Sequence, residues 1–182
     1  MRPPIQGGHS ITRATTKGGA VNAIILATDG SPSAQKATGN AIELAQATGW
    51  PLRVVTVWQT PILVGSYYGY AVPAEYAPEL IDAEREHAAR VAADAVEQAQ
   101  AIGVNAQADI RQGEPVEEIC GAAKDAGASL VVLGAHGWGA LKRLVFGSVS
   151  SGVLHDAPCG VLVVRGTPET AEPSLAGAEQ QT

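Results

Sequence analysis

Short apolar runs alternate with helical patterns along the middle of this chain, and that alternation leaves few folds open. The first run, AIILA within 21–28, stops at Asp29-Gly30-Ser31-Pro32. A short apolar run bounded by turn residues reads as a parallel-type strand covered on both faces. Similar runs stand at 52–58, 129–133 (SLVVL) and 160–165 (GVLVVR), while 104–111 alternates and suits an edge strand. Between these lie the helices. Ser31-Pro32 supplies a cap followed by a first helical position, and Ala34, Ala37, Ala41, Leu44 and Ala45 continue the period to Gly49. Residues 78–102 repeat apolar positions at Ile81, Ala88, Val91, Ala95, Ala99 and Ile102, before Gly103. Glu114-Pro115 opens a third helix on Val116, Ile119, Cys120 and Ala123, and a fourth begins near Ser148. Strands alternating with helices make right-handed βαβ units, so the sequence predicts an α/β fold with one doubly wound, five-stranded parallel sheet. Two strand orders satisfy the pattern, 3-2-1-4-5 and 2-1-3-4-5.

With 182 residues the chain suits one domain, placed at 21–165. Residues 1–20 and 166–182, rich in small and polar residues without period, read as a disordered arm and tail. Alanine swells the 46% apolar fraction, which implies an interior of small side chains in close helix–sheet contact. A net charge of -6 and a pI near 5.1, with no basic tract, argue against nucleic-acid binding by phosphate neutralisation. No run approaches the roughly 18 apolar residues of a membrane span, and the N-terminal stretch has no signal-like apolar core. Cys120 and Cys159 are far apart and show no CxxC spacing, so a cytoplasmic, reducing location is expected, with both thiols buried. His9, His87, His136 and His155 have no zinc-binding spacing.

The stretch 134–151, GAHGWGALKRLVFGSVSS, follows the fourth strand directly. Gly134 and Gly137 allow positive φ or close approach of backbone to a ligand. Gly147-Ser148 then opens a helix whose N–H groups, with the hydroxyls of Ser148 and Ser150, form a ready phosphate site. Neither a Walker A loop nor a GxGxxG fingerprint occurs, and glycines after a strand also make a plain turn. Both readings stand on the residues alone.

The segment resembles the G-x2-G-x9-G-[ST] signature of the universal stress protein family in its ATP-binding branch, at Gly134, Gly137, Gly147 and Ser148. The ending SVSSGVLHDAPCGVLVVR and the opening ILATDGS are also similar to that family, and the resemblance covers about 21–165. It implies a Rossmann-like sheet of order 3-2-1-4-5, which sets the ends of strands one and four side by side at the topological switch point. It implies ATP as ligand, with any Mg²⁺ held mostly by phosphates and water. Ala27 and Thr28 would then line the base pocket, Val57 would pack on adenine, and Asp29 would accept hydrogen bonds from ribose or base. An Asx-turn is the other reading of Asp29. Gly134, His136 and Gly137 would border the phosphates, facing Gly147, Ser148, Val149 and Ser150. His136 invites a general-base role, yet the same turn would exist without it. Lys142 and Arg143 either screen a triphosphate or are simply solvated, and Trp138 stands where the family commonly has a basic or polar residue. The loop 60–77 holds all four tyrosines, as a flap over the nucleotide, a partner surface or a packed loop. A homodimer is implied through antiparallel pairing of the last strand, although Gly160 replaces a frequent proline at its entry.

Three function classes follow: an ATP-binding regulatory protein of the stress response, a slow ATPase or phosphate-transferring enzyme, and a nucleotide-free scaffold dimer. The glycine signature argues against the third. Phosphoryl transfer needs metal-binding carboxylates and a positioned nucleophile, and only Asp29 and His136 offer themselves. The expectation is a nucleotide-sensing module with at most weak hydrolysis.

Overall fold

A computed structural model describes residues 22–60, 77–136 and 146–165. The N-terminal arm, the C-terminal tail, most of the tyrosine loop, Gly137, Trp138, Lys142 and Arg143 lie outside the described residues. In chain order the elements are β1 (Ile24–Ala27), α1 (Pro32–Thr48), β2 (Leu52–Trp58), α2 (Ala77–Ala101), β3 (Ala106–Gln112), α3 (Pro115–Ala126), β4 (Leu130–Gly134), α4 (Ser148–Asp156) and β5 (Gly160–Val164). They build a five-stranded sheet of order β3-β2-β1-β4-β5, every neighbouring pair parallel. Of the two orders compatible with the alternation, the one implied by the family resemblance is the one observed.

β1 is central because it is apolar on both faces. All four of its residues are buried, Ile24, Ile25 and Leu26 completely. Alternation along a strand sends Ile24 and Leu26 to one side and Ile25 and Ala27 to the other. The first side meets α1 and α2 through Ala37, Ala41, Ala45, Ala92, Ala95 and Ala99, which lets those helices lie close on the sheet. The second side meets α3 and α4 through Ile119, Ala122, Ala123 and Val153. The small-residue interior expected from composition is therefore concentrated in the α1–α2 layer.

Helix starts follow the sequence signals. Ser31 Oγ caps α1 by accepting from Ala34 N at 3.3 Å, and Pro32 takes the first position, where its missing N–H costs nothing. Glu114 caps α3 with its carboxylate, which accepts from Val116 N at 2.8 Å and Glu117 N at 3.2 Å. Gly49 ends α1 at φ 70°, a conformation that glycine adopts without strain.

Several boundaries differ from the sequence reading. β1 begins at Ile24 rather than 21, where pairing with Leu52 and Leu130 begins. Ile102 keeps the helical period of α2 but lies past its end and is exposed. The sequence predicts both thiols buried; Cys120 and Cys159 are instead free and half-buried at the margin of the α3–α4 layer.

Candidate nucleotide-binding site

The sheet order brings the carboxyl ends of β1 and β4 together although they are about 100 residues apart in the chain. From there α1 crosses to one face and α4 packs on the other, leaving a crevice between the strand ends. It is a cavity of about 470 Å³, within the range typical of small-molecule sites. Its floor is apolar: Ala27, Val55, Val57 and Leu133 from the strands, closed on one side by Pro115 and Ile119 of α3. Thr28, Asp29, His136 and the first turn of α4 supply its polar rim.

Asp29 stands in an Asx-turn at the rim of the cavity. Its Oδ1 accepts from Ser31 N at 3.0 Å, so the Asx-turn exists, and the exposed side chain also borders the cavity. Val57 is half-buried on the cavity floor, and Ala27 and Thr28 are buried beside it.

Gly134 does not serve by positive φ, as the sequence allowed; it is the last residue of β4, in register with Val164. What it needs is the absence of a side chain. A Cβ there would lie 2.6 Å from Ser33 Oγ and 2.9 Å from Ala34 N, inside the first turn of α1. Gly147 is different. At φ -74° a Cβ would stand 3.4 Å from Ala135 O, an ordinary contact, so no steric demand fixes glycine there.

The consequence of Gly147 is electrostatic. Every helix start leaves N–H groups without partners inside the helix and carries the positive end of the dipole. In α1 the side chain of Ser31 satisfies part of that need, and in α3 Glu114 does. Gly147 caps α4 with no side chain at all. Ser148 is exposed and Val149 half-buried at this bare start, both bordering the cavity. Ser150 also reaches the wall, but its buried hydroxyl donates inward, 3.0 Å from the carbonyls of Ala135 and Gly147. The expected Ser150 hydroxyl for a phosphate is thus engaged by the backbone.

His136 borders the cavity, and its carbonyl accepts a hydrogen bond from Ser33 Oγ. The sequence does not point to Ser33, and it points to Pro115 and Ile119 only as positions of a helix, not as a wall of the cavity. Glu114-Pro115, just after β3, signals the start of α3, while the place of that helix against the cavity is a tertiary fact. Among the described residues, no group of three or more His, Cys, Asp or Glu side chains could hold a metal ion, and no helix is long and apolar enough to cross a membrane.

The family model described as "Universal stress protein family" matches residues 21–165. Universal stress protein YxiE of Bacillus subtilis is 34% identical over 149 residues, 79% of this chain and 99% of the relative. The solved structure of universal stress protein UspA from Lactobacillus plantarum is 30% identical with a TM-score of 0.67, covering 80% of this chain and 98% of that one. A universal stress protein from Archaeoglobus fulgidus, solved in complex with dAMP, shares the fold at 22% identity and a TM-score of 0.56, covering 79% and 97%. The family match takes in every strand of the sheet and both sides of the cavity, and this chain belongs to the universal stress protein family.

Proposed function

We propose that the cavity between β1 and β4 binds an adenine nucleotide, ATP first among them, and that the protein is a cytoplasmic nucleotide-sensing module of the stress response. The observation that carries this reading is the bare N-terminus of α4 at one end of an apolar cavity. Base and phosphates need opposite surroundings. The floor of Ala27, Val55 and Val57 suits a planar base, and the α4 N–H groups suit phosphate oxygens. Asp29, at the rim, would accept from ribose hydroxyls or the base edge. Any Mg²⁺ would be carried mainly by the phosphates and water. The dAMP complex of the Archaeoglobus relative supports an adenine nucleotide as the ligand class.

The reading extends to a homodimer through β5. The two sheet edges are unlike: β3 carries Asp109 and Arg111 in ion pairs, whereas β5 is GVLVV with Val161, Leu162 and Val163 half-exposed. An uncharged apolar edge invites a second copy. Light scattering after gel filtration would give twice the chain mass, falling to one with Leu162→Lys.

Calorimetric titration with ATP and Mg²⁺, followed by analysis of the products, tests the main reading. Ser148→Asp is the control, since a carboxylate there favours the helix dipole yet repels phosphate. Saturable binding lost in the control, with ATP intact, supports the sensor. ADP formation lost in the control would replace it with an enzyme, and no binding would leave a scaffold.

A further inference from the structure

We infer that Ser33 is a positioning residue for the phosphate end of this cavity, an inference that rests on the nucleotide reading above. Residues 134–136 form the wall facing α4, and among the described residues β5, α4 and α1 hold them. Ala135 N donates to Val164 O of β5 at 2.8 Å. Ala135 O accepts from Gly147 N at 2.8 Å and from Ser150 Oγ at 3.0 Å, which fixes the start of α4 against this wall. The third hold comes from α1. Ser33 Oγ donates to His136 O, and His136 N approaches the same hydroxyl at 3.4 Å. One short side chain therefore meets both polar backbone atoms of His136.

The anchor behind that hydroxyl is stiff. Ser33 is the second residue of α1, just after the φ-restricted Pro32, and Ala34, Ala37, Ala41 and Ala45 bury the helix against the sheet. Gly134 is shaped to the same contact, for any Cβ there would collide with Ser33 and Ala34. Ser33 is not among the residues that line the cavity; at this wall the lining is Ala34, Gly134, Ala135 and His136. Nor is it needed to cap α1, because Ser31 does that. Ser31 Oγ lies 3.4 Å from His136 O, a longer approach. What remains for Ser33 is to hold the wall whose other side sets α4.

The route of influence runs from Ser33 to His136, through the adjoining Ala135 carbonyl, to Gly147 and the bare helix start. Loss of the hydroxyl frees the wall at the end where phosphates meet α4, while the base floor on β1, β2 and α3 is untouched. Ser33→Ala should lower ATP affinity about three- to tenfold, the scale of one hydrogen bond, and lower AMP affinity less. Ser33→Thr, which keeps the hydroxyl, should restore both.

The test is titration of ATP and AMP into wild type, Ser33→Ala and Ser33→Thr. Alongside it, amide hydrogen exchange is followed at Ala135 and His136 without ligand. In Ser33→Ala, exchange at His136 should accelerate while Ala135, bonded to Val164, keeps its protection. If wild type binds neither nucleotide, the nucleotide reading fails and this inference with it. If wild type binds and Ser33→Ala loses nothing, loses ATP and AMP alike, or leaves His136 exchange unchanged, only the role of Ser33 is overturned. The same follows if Ser33→Thr behaves like Ser33→Ala.

Discussion

Gly152 of α4 faces Val116 of α3 so closely that a methyl group on Gly152 would stand 2.6 Å from Val116 Cγ2. Two opposing effects meet in Gly152→Ala. Helix propensity favours alanine by about 1 kcal/mol, and overpacking against a stiff β-branched neighbour costs about 1–3 kcal/mol. Packing should win, with a net loss of about 1 kcal/mol in urea unfolding. Adding Val116→Ala should recover part of it, giving a coupling energy of about 1 kcal/mol in the double-mutant cycle.

Asp29 separates its two roles by substitution. Asparagine keeps an acceptor for Ser31 N, so Asp29→Asn should stay within about 0.5 kcal/mol of wild type. Asp29→Ala loses that bond and about 0.5–1.5 kcal/mol. On the nucleotide reading, ATP affinity falls in the same order, Asn before Ala, and paired titration and thermal unfolding would check both.

Arg111 ties β3 to α3. Its Nε donates to Asp109 Oδ2 at 3.1 Å, one terminal nitrogen reaches Asp125 at 3.0 Å, and the other lies 3.6 Å from Glu118. Lysine cannot reproduce that fork. Arg111→Lys should cost about 1 kcal/mol and Arg111→Ala about 2 kcal/mol, the range for hydrogen bonds to charged groups. Urea midpoints should shift with unchanged m-values.

Burial pushes the Cys120 thiol up, helped by the Asp156 carboxylate and by Cys159 and Glu114, and burial alone raises Cys159. The folded protein should therefore react slowly with iodoacetamide near pH 7.5, and faster only as pH climbs beyond the usual thiol range. The linkage has a definite sign. A folded-state pKa above the unfolded value gives stability fully present below about pH 8.5 and lost as pH rises through the folded pKa. Replacing both cysteines by serine should remove that alkaline component from the unfolding profile.

Local chemistry was the legible part of this chain. Ser31-Pro32 and Glu114-Pro115 announced two helix starts because capping involves only a few neighbouring residues. The strand order needed more, since alternation alone admits two arrangements, and the family signature chose between them. Ile102 misled because its spacing fits a helix, while Gly103 at φ 82° ends the regular geometry first. Gly134 announced a special position but not which kind; steric closeness to α1 is a tertiary fact. Ser33 lay beyond sequence reasoning for the same reason, as its partner His136 is 103 positions away. The motif points to Ser150 as a phosphate ligand, yet a carbonyl at Ala135 engages its buried hydroxyl.

The central place of β1 also sets an order of events while the chain is being made. Ala27 leaves the ribosome about 100 residues before β4, a delay of roughly 5–20 s at the usual rate of elongation. During that interval α1, β2, α2 and β3 can assemble on β1, but its other edge has no partner. That edge belongs to a strand whose four residues, Ile24 to Ala27, are all apolar. Until β4 is made, the half-made chain thus leaves an apolar strand with one edge unpaired, the kind of surface that invites association between neighbouring chains.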